Sequence, residues 1–405
     1  MAATTDSPIT TFSIGNYLGP LFRTTPTETP VVSLIGGTRS WYPIYSKEFT
    51  WQEQDNASAS QPAIVEGADP TYTGRTRAET KNVVQIFQYG VNISYSQMSA
   101  VDQLASDAGH ILGVQPVQNE VSHQLGLKLE LAKTDLEYCV LRGTYQYPTD
   151  NNTGRKMRGM ENAISTNEID ASTLVGNATF DFTGGASEDL WTDTAHGLAT
   201  GDEVYFSAVG TGAAGFAITT RYWVIKVDAD TYHLASSLDN ALAGTAAEGT
   251  SDSAGTWTLR KAARNTKSLV NKLIRTMVTS GAKFRMPIFV CGAYNKQRLS
   301  DIYGYAPESR SVGGVNIQYL ELDIIGMVGI LFDRHMPAGK IFLLDLGLMR
   351  LRAMPIKGRG VLFFEPRADT GASEHWQLYG ELGLEYGPEE WHGSIVGITT
   401  DEQAA

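Results

Sequence analysis

The sequence predicts an α+β fold that carries a small all-β insert, on three observations. Apolar residues recur every three or four positions over 115–142, the mark of a long amphipathic helix. Short apolar or alternating runs, such as 83–95, 341–344 and 376–386, mark strands before and after it. The composition then shifts over 165–259, where Gly, Ala, Thr, Ser and Asp dominate.

Residues 1–40 read as an extended arm. Pro8, Pro20, Pro26 and Pro30 punctuate it, and Gly36-Gly37 ends its apolar part. Phe12, Tyr17 and Phe22, with Val31 and Val32, are too many apolar side chains for a free tail, so the arm needs a surface to bury them. Residues 44–95 read as a two-stranded ribbon. The outgoing side is YSKEFTWQEQ, with Trp51. The return is VVQIFQYGVNISY, where Val83, Phe87, Tyr89, Val91, Ile93 and Tyr95 share one parity. Residues 54–80 between them are polar and loop-like, and a loop this long without its own core is usually functional or disordered. A lone two-stranded ribbon is marginal in water, so it is expected to lean on another chain.

The helix over 115–142 starts near Pro116, and Val117, Val121, Leu125, Leu129, Ala132, Leu136 and Cys139 form its stripe. Residues 145–156 (YQYPTDNNTGRK) are a turn-rich connection. Within 165–259, DEVYFSAV and RYWVIKV are strand-like. A second helix follows, capped by Asn265, with Leu269, Val270, Leu273, Ile274, Met277 and Val278 inward and Gly281 stopping it. IFVC precedes a helix at 293–304. IFLL (341–344) and VLFF (361–364) read as buried strands. Trp376, Leu378, Leu382, Leu384 and Tyr386 alternate with Gln377, Tyr379, Glu381 and Glu385, a strand with one wet face.

The formal net charge is −12, which argues against tight DNA binding by the whole surface, because phosphate binding needs clustered Lys and Arg. Residues 165–259 hold two basic residues, Arg221 and Lys226, and thirteen acidic ones, so a near-neutral body carries one acidic module. Cys139 and Cys291 lie in apolar runs outside any CxxC pair and read as free thiols, which suits a reducing cytoplasm. The opening MAATTDSPITTF has neither a basic n-region nor an apolar h-region, so no secretory signal is expected, and no run approaches the ~20 apolar residues of a membrane span.

The order is arm, ribbon, long helix, mixed α/β body and late β-structure. It resembles the major capsid protein of tailed double-stranded DNA phages, with the Hong Kong 97-type fold. Four strings are similar to the Su10-like branch: LFRTTPTETPVVSLIGG (21–37), MRGMENAI (157–164), FDRHMPAGKIFLLD (332–345) and SEHWQLYGELGLEYGPEEWHGSI (373–395). The resemblance covers about 10–164 and 260–398. It implies an N-terminal arm over 1–43, an E-loop over 44–95 and a P-domain with the spine helix over 96–156. It implies an A-domain over 157–164 and 260–359, and P-domain return strands from 360 onward. The stretch 165–259 departs from that body. Its HGLATGDEV (196–204) and RYWVIKVDADTYHLASSLDNALAGTA (221–246) are similar to a β-module of phage structural proteins. An inserted acidic β-domain is expected on the shell's exterior, since thirteen carboxylates are poorly placed beside packaged DNA.

The resemblance further implies self-assembly into hexamers and pentamers of an icosahedral head, in the cytoplasm of a bacterial host, around double-stranded DNA bound without sequence specificity. It implies portal and decoration proteins as partners, and no membrane. With no long helical scaffolding segment at the start, a separate scaffold protein or none is expected. The alternative is another phage structural protein, a tail-tube or decoration subunit. No enzyme, cofactor or metal is expected. Gly210-Thr-Gly212-Ala-Ala-Gly215 matches GxGxxG, but a strand-like run follows where a dinucleotide site needs a helix. Asp369-Thr370-Gly371 matches the aspartic-protease string, but no second copy exists and a surface turn is the better reading. The seven histidines form no HExxH or Cys/His cluster. The candidate intersubunit contacts are Phe12, Tyr17 and Phe22 of the arm, and Trp51, Tyr72, Arg75 and Arg77 of the ribbon. Glu389 and Glu390 complete them, expected to pair with basic residues between subunits or to face water. Some relatives crosslink through a ribbon lysine. Here Lys47 and Lys81 lie only near its base, so no such link is expected.

Overall fold

The structure is a computed structural model. It describes residues 27–37, 41–54, 59–100, 120–150, 152–181, 189–212, 215–218, 220–249, 253–254, 257–304, 308–312, 315–368 and 371–401. Phe12, Tyr17, Phe22, the helix start at 115–119 and Asp369 lie outside them. The described parts of 88–131 and 364–378 form one compact unit. Those of 28–87, 132–363 and 379–405 form the other.

The arm is not extended throughout. Pro30–Leu34 is one turn of helix with Pro30 in its first turn, and Val31 and Val32 are buried. A proline there loses no hydrogen bond and presets φ, so the residue that read as a breaker is a starter. The ribbon forms as expected at its base. Glu48–Glu53 pairs antiparallel with Ala78–Val83, from Glu48 opposite Val83 to Glu53 opposite Ala78. The return continues as Gln85–Ser94, where Phe87, Val91 and Ile93 are buried on one parity. Tyr95 leaves that parity, because it opens a helix, Tyr95–Ala100, and is exposed. The long helix is described over Glu120–Arg142, roughly 35 Å at 1.5 Å per residue. Of the expected stripe Ala132 and Leu136 are buried and Cys139 half-buried, while Val140 and Leu141, outside that stripe, are buried beside them.

The body holds a seven-stranded sheet. Its order is Glu308–Val312, Val315–Leu322, Gly326–Phe332, Pro287–Cys291, Ile341–Asp345, Gly393–Val396 and Glu168–Asp170. Pro287–Cys291 runs parallel to Gly326–Phe332, and Gly393–Val396 parallel to Glu168–Asp170. Pro287–Cys291 and Ile341–Asp345 are buried at every position, as continuous apolar runs demand. The helix Lys267–Thr279 packs Val270, Leu273, Ile274 and Met277 into the same core as Phe289, Ile341 and Leu343, while Val278 is exposed. Its cap is Thr266 rather than Asn265. The Thr266 hydroxyl accepts the Leu269 N–H, whereas Asn265 is fully buried. A second helix beside this sheet, Ala293–Tyr303, adds Leu299 to this core.

A second sheet orders Tyr42–Pro43, Arg350–Ala353, Ser373–Glu385 and Leu362–Pro366, with Gln85–Ser94 also paired to Ser373–Glu385. Two expectations fail here. Leu362–Pro366 is the last strand of this order and only half-buried, because an edge strand lacks a neighbour on one side. The long strand has no wet face: Gln377, Leu378 and Gly380 through Leu384 are all buried.

The insert is a closed six-stranded barrel. Its strands follow one another as Arg221–Lys226, Thr231–Ala235, Leu190–Thr192, Thr173–Asp181, Trp257–Lys261 and Glu203–Ala208. Trp191 sits at its centre, 4.8 Å from Phe180 and Phe206 and 5.4 Å from Trp257 between ring centres. Glu168–Asp170 belongs to the body sheet, so the barrel runs from Thr173 to Lys261 rather than over 165–259.

Candidate functional site

The ribbon joins a fixed base to an uncovered tip. At the base, buried Asn82 sits opposite Phe49 in the ladder. Its amide donates to the carbonyls of Leu384 (2.7 Å) and Arg158 (3.1 Å), and its oxygen accepts the Arg158 N–H (2.8 Å). Trp51 packs edge-on against Tyr386, with ring centres 4.9 Å apart, and its Nε1 donates to Glu53 and to the Gly387 carbonyl. Lys81 pairs with Glu48 at 3.1 Å, and the Tyr145 hydroxyl donates to the same carboxylate. Trp51 is therefore engaged within its own chain and stays half-buried.

Residues 59–79 are exposed at every position. Tyr72 is 90% exposed, Val65 81% and Ile64 70%. An isolated exposed apolar residue is ordinary, but three on one irregular excursion form a surface that nothing among the described residues covers. Arg75 and Arg77 share this stretch, and the Arg77 guanidinium donates to Gln52 at 3.0 Å. The ribbon thus presents apolar side chains and two guanidinium groups on a base that holds its direction. A guanidinium fork suits a carboxylate on a partner surface.

Glu389 does not reach outward. Its carboxylate accepts the N–H groups of Ser165 (2.8 Å) and Thr166 (3.2 Å) and both hydroxyls. Burial pushes this carboxyl up, but the bonds from Thr166 and Ser165 outweigh it and hold it below the usual carboxylate range. Glu390 offers its backbone carbonyl to Asn167 at 2.6 Å. Both residues secure the chain just before the barrel, where the Asn167 amide is also bonded to His392 and Ser280. Sequence reading missed Asn82. Its one signal is an amide inside an otherwise β-favouring run, a position such residues avoid unless the side chain replaces missing backbone bonds.

Among the described residues no cluster of His, Cys, Asp and Glu could hold a metal ion, and no helix is long and apolar enough to cross a membrane. Cys139 and Cys291 are free, and burial pushes their thiols up to about 11 and about 12. Among the described residues, the next regular element after Thr211–Gly212 is the strand Arg221–Lys226.

No curated protein is matched by sequence. The holo-SrpI encapsulin complex from Synechococcus elongatus PCC 7942 is similar in structure, with a TM-score of 0.50 and 10% identity over 97% of this chain and 95% of that one. The capsid asymmetric unit of cyanophage A-1(L) matches with a TM-score of 0.50 and 13% identity, over 98% of this chain and 100% of that one. At such identities the likeness speaks for the fold, which is the Hong Kong 97-type capsid fold. The sequence profile of the SU10 major capsid protein matches residues 3–399, on both sides of the barrel and through it, which the tail-tube and decoration alternatives do not account for. The chain therefore belongs to the SU10 major capsid protein family and is a major capsid protein.

Proposed function

We propose that this protein assembles with copies of itself into the hexamers and pentamers of an icosahedral head that encloses the double-stranded DNA of a tailed phage. The observation that carries this reading is the ribbon, fixed at Asn82 and Trp51 and bare from 59 to 79. In it, residues 1–43 act as the arm, 44–95 as the E-loop, and the long helix as the spine of the P-domain. Ile64, Val65 and Tyr72 bury themselves on an adjoining subunit, and Arg75 meets a carboxylate there. Each contact is weak, but the many copies in a shell make their sum strong. The role is mechanical and needs no catalysis. The acidic barrel faces outward, away from packaged DNA. Portal and decoration proteins are its partners, with a separate scaffold protein or none, and assembly takes place in the host cytoplasm.

Replacing residues 59–77 by a short turn tests the reading. The chain should keep its unfolding midpoint, because exposed residues contribute within about 0.5 kcal/mol each way. Electron microscopy should find no closed shells. Closed shells of normal diameter built from this variant would sink the proposal.

A further inference from the structure

The short helix Pro30–Leu34 is fastened by a carboxylate that the assembly surface does not use. Glu137, near the end of the long helix, is wholly buried. One of its oxygens accepts the Val31 N–H and the other the Val32 N–H, both at 2.7 Å. These are first-turn amides, which have no partner inside a helix, and Pro30 has no N–H to offer. Asp333, 1% exposed, lies within hydrogen-bonding reach of Glu137. Its Oδ1 accepts the His335 N–H at 2.7 Å, while its Oδ2 is buried without a donor. Two ionised carboxylates face to face offer only acceptors. One proton between them turns repulsion into an O–H···O bond and supplies the missing donor.

We propose that Glu137 and Asp333 share one proton, and that this proton latches residues 28–34 onto the body of the chain. Burial first, then the hydrogen bond and charge of Asp333, raise the Glu137 carboxyl well above the usual carboxylate range, against the pull of the two N–H groups. The other ionisable groups on the elements around the pair are few. Glu28 pairs with Arg334 at 3.4 Å, and Arg142 at the helix end pairs with Glu161. His335 follows Arg334, and Lys133 lies one helical turn before Glu137. Glu321, on the strand Val315–Leu322 packed near the short helix, is exposed. Cys291, whose carbonyl accepts the Asp333 N–H at 3.1 Å, keeps its thiol proton. A folded-state pKa above the free value means the latch is complete at low pH and fails as pH rises through the raised value. Beyond that point two buried negative charges must separate or draw in water, and the Val31 and Val32 amides lose their acceptor.

Hydrogen exchange of the full-length chain, read on a peptide spanning 28–37 and corrected for intrinsic pH dependence, tests this from about pH 5 to pH 9. Over this range protection should fall about tenfold per pH unit, the slope of one proton released per opening, until pH passes the raised value of Glu137 and the fall levels off. Asp333→Asn keeps a donor beside Glu137 without the charge and leaves burial as the remaining cause of the raised carboxyl, so its protection should level off at a lower pH than in the parent chain. His335→Gln should keep the slope. Flat protection in the parent chain, an Asp333→Asn profile that ends its fall at the same pH as the parent, or loss of the slope in His335→Gln would each overturn the latch. The inference concerns a single chain and stands or fails independently of the shell reading, since no particle is needed to observe it.

Discussion

Arg155 and Glu381 lie 226 positions apart, yet their side chains meet at 2.9 Å and are only 11% and 8% exposed. The Tyr379 hydroxyl donates to the other carboxylate oxygen at 2.8 Å. Burying a charge pair is nearly neutral against an apolar pair of the same volume, but removing one partner strands the other in a medium that solvates it poorly. Glu381→Ala should therefore cost about 3–5 kcal/mol, read as a lower urea midpoint at unchanged slope. A loss under about 1 kcal/mol would mean that Arg155 finds another partner or reaches water. The same reasoning explains His392, which is fully buried. Its Nδ1 accepts the Asp345 N–H, its Nε2 lies 2.8 Å from the Tyr386 carbonyl, and burial lowers its pKa and keeps it neutral.

Where local pattern and burial agree, the elements were legible. The helix Lys267–Thr279 buries Val270, Leu273, Ile274 and Met277 of the face its periodicity nominates, though not Val278, and the strands Pro287–Cys291 and Ile341–Asp345 are buried throughout. Ser373–Glu385 was misread because its polar parity is neutralised from afar, Glu381 by Arg155 and Glu385 by Arg352, and no window of ten residues contains both partners. The uncovered ribbon tip, with Tyr72 and Arg75, was visible in composition alone. Trp51 and Glu389 were not, since an aromatic or a carboxylate looks the same in sequence whether its own chain or another engages it. Glycines carry a further constraint that pattern does not show. At the end of the long helix Gly143 and Gly159 bring two backbones together, with the Gly159 N–H donating to the Gly143 carbonyl at 2.8 Å. A Cβ on Gly159 would lie 2.5 Å from the Cys139 carbonyl oxygen and the Gly143 nitrogen. Gly159→Ala must push backbone against backbone, and should cost about 1–3 kcal/mol or more, measured by chemical denaturation. A neutral outcome would show that this junction is looser than its hydrogen bonds imply.

For the chain as a whole, the barrel is a complete structure set into another. Its first and last strands are antiparallel neighbours, with Thr173 opposite Lys261, so the chain leaves the body and returns at almost one place. An insertion with adjacent ends barely perturbs its host. Ring closure gives every strand a neighbour on each side, so the sheet has no end strand to protect. The core is the barrel's own, from Ala178 and Phe180 through Trp191, Phe206 and Tyr232 to Trp257 and Leu259. Its fastening to the body is polar: Glu203 accepts the Thr400 N–H and hydroxyl at 2.7 and 2.8 Å, and Arg260 pairs with Asp170 at 2.7 Å. Apolar burial drives folding while polar contacts mostly set geometry, so the barrel's stability should reside inside it. Residues 172–262 expressed alone should therefore unfold in one cooperative transition. Trp191 and Trp257, both buried, should emit at short wavelength before it and at long wavelength after it. A fragment with solvent-like tryptophan emission and no transition would mean that the polar fastening, rather than the aromatic core, holds the module together.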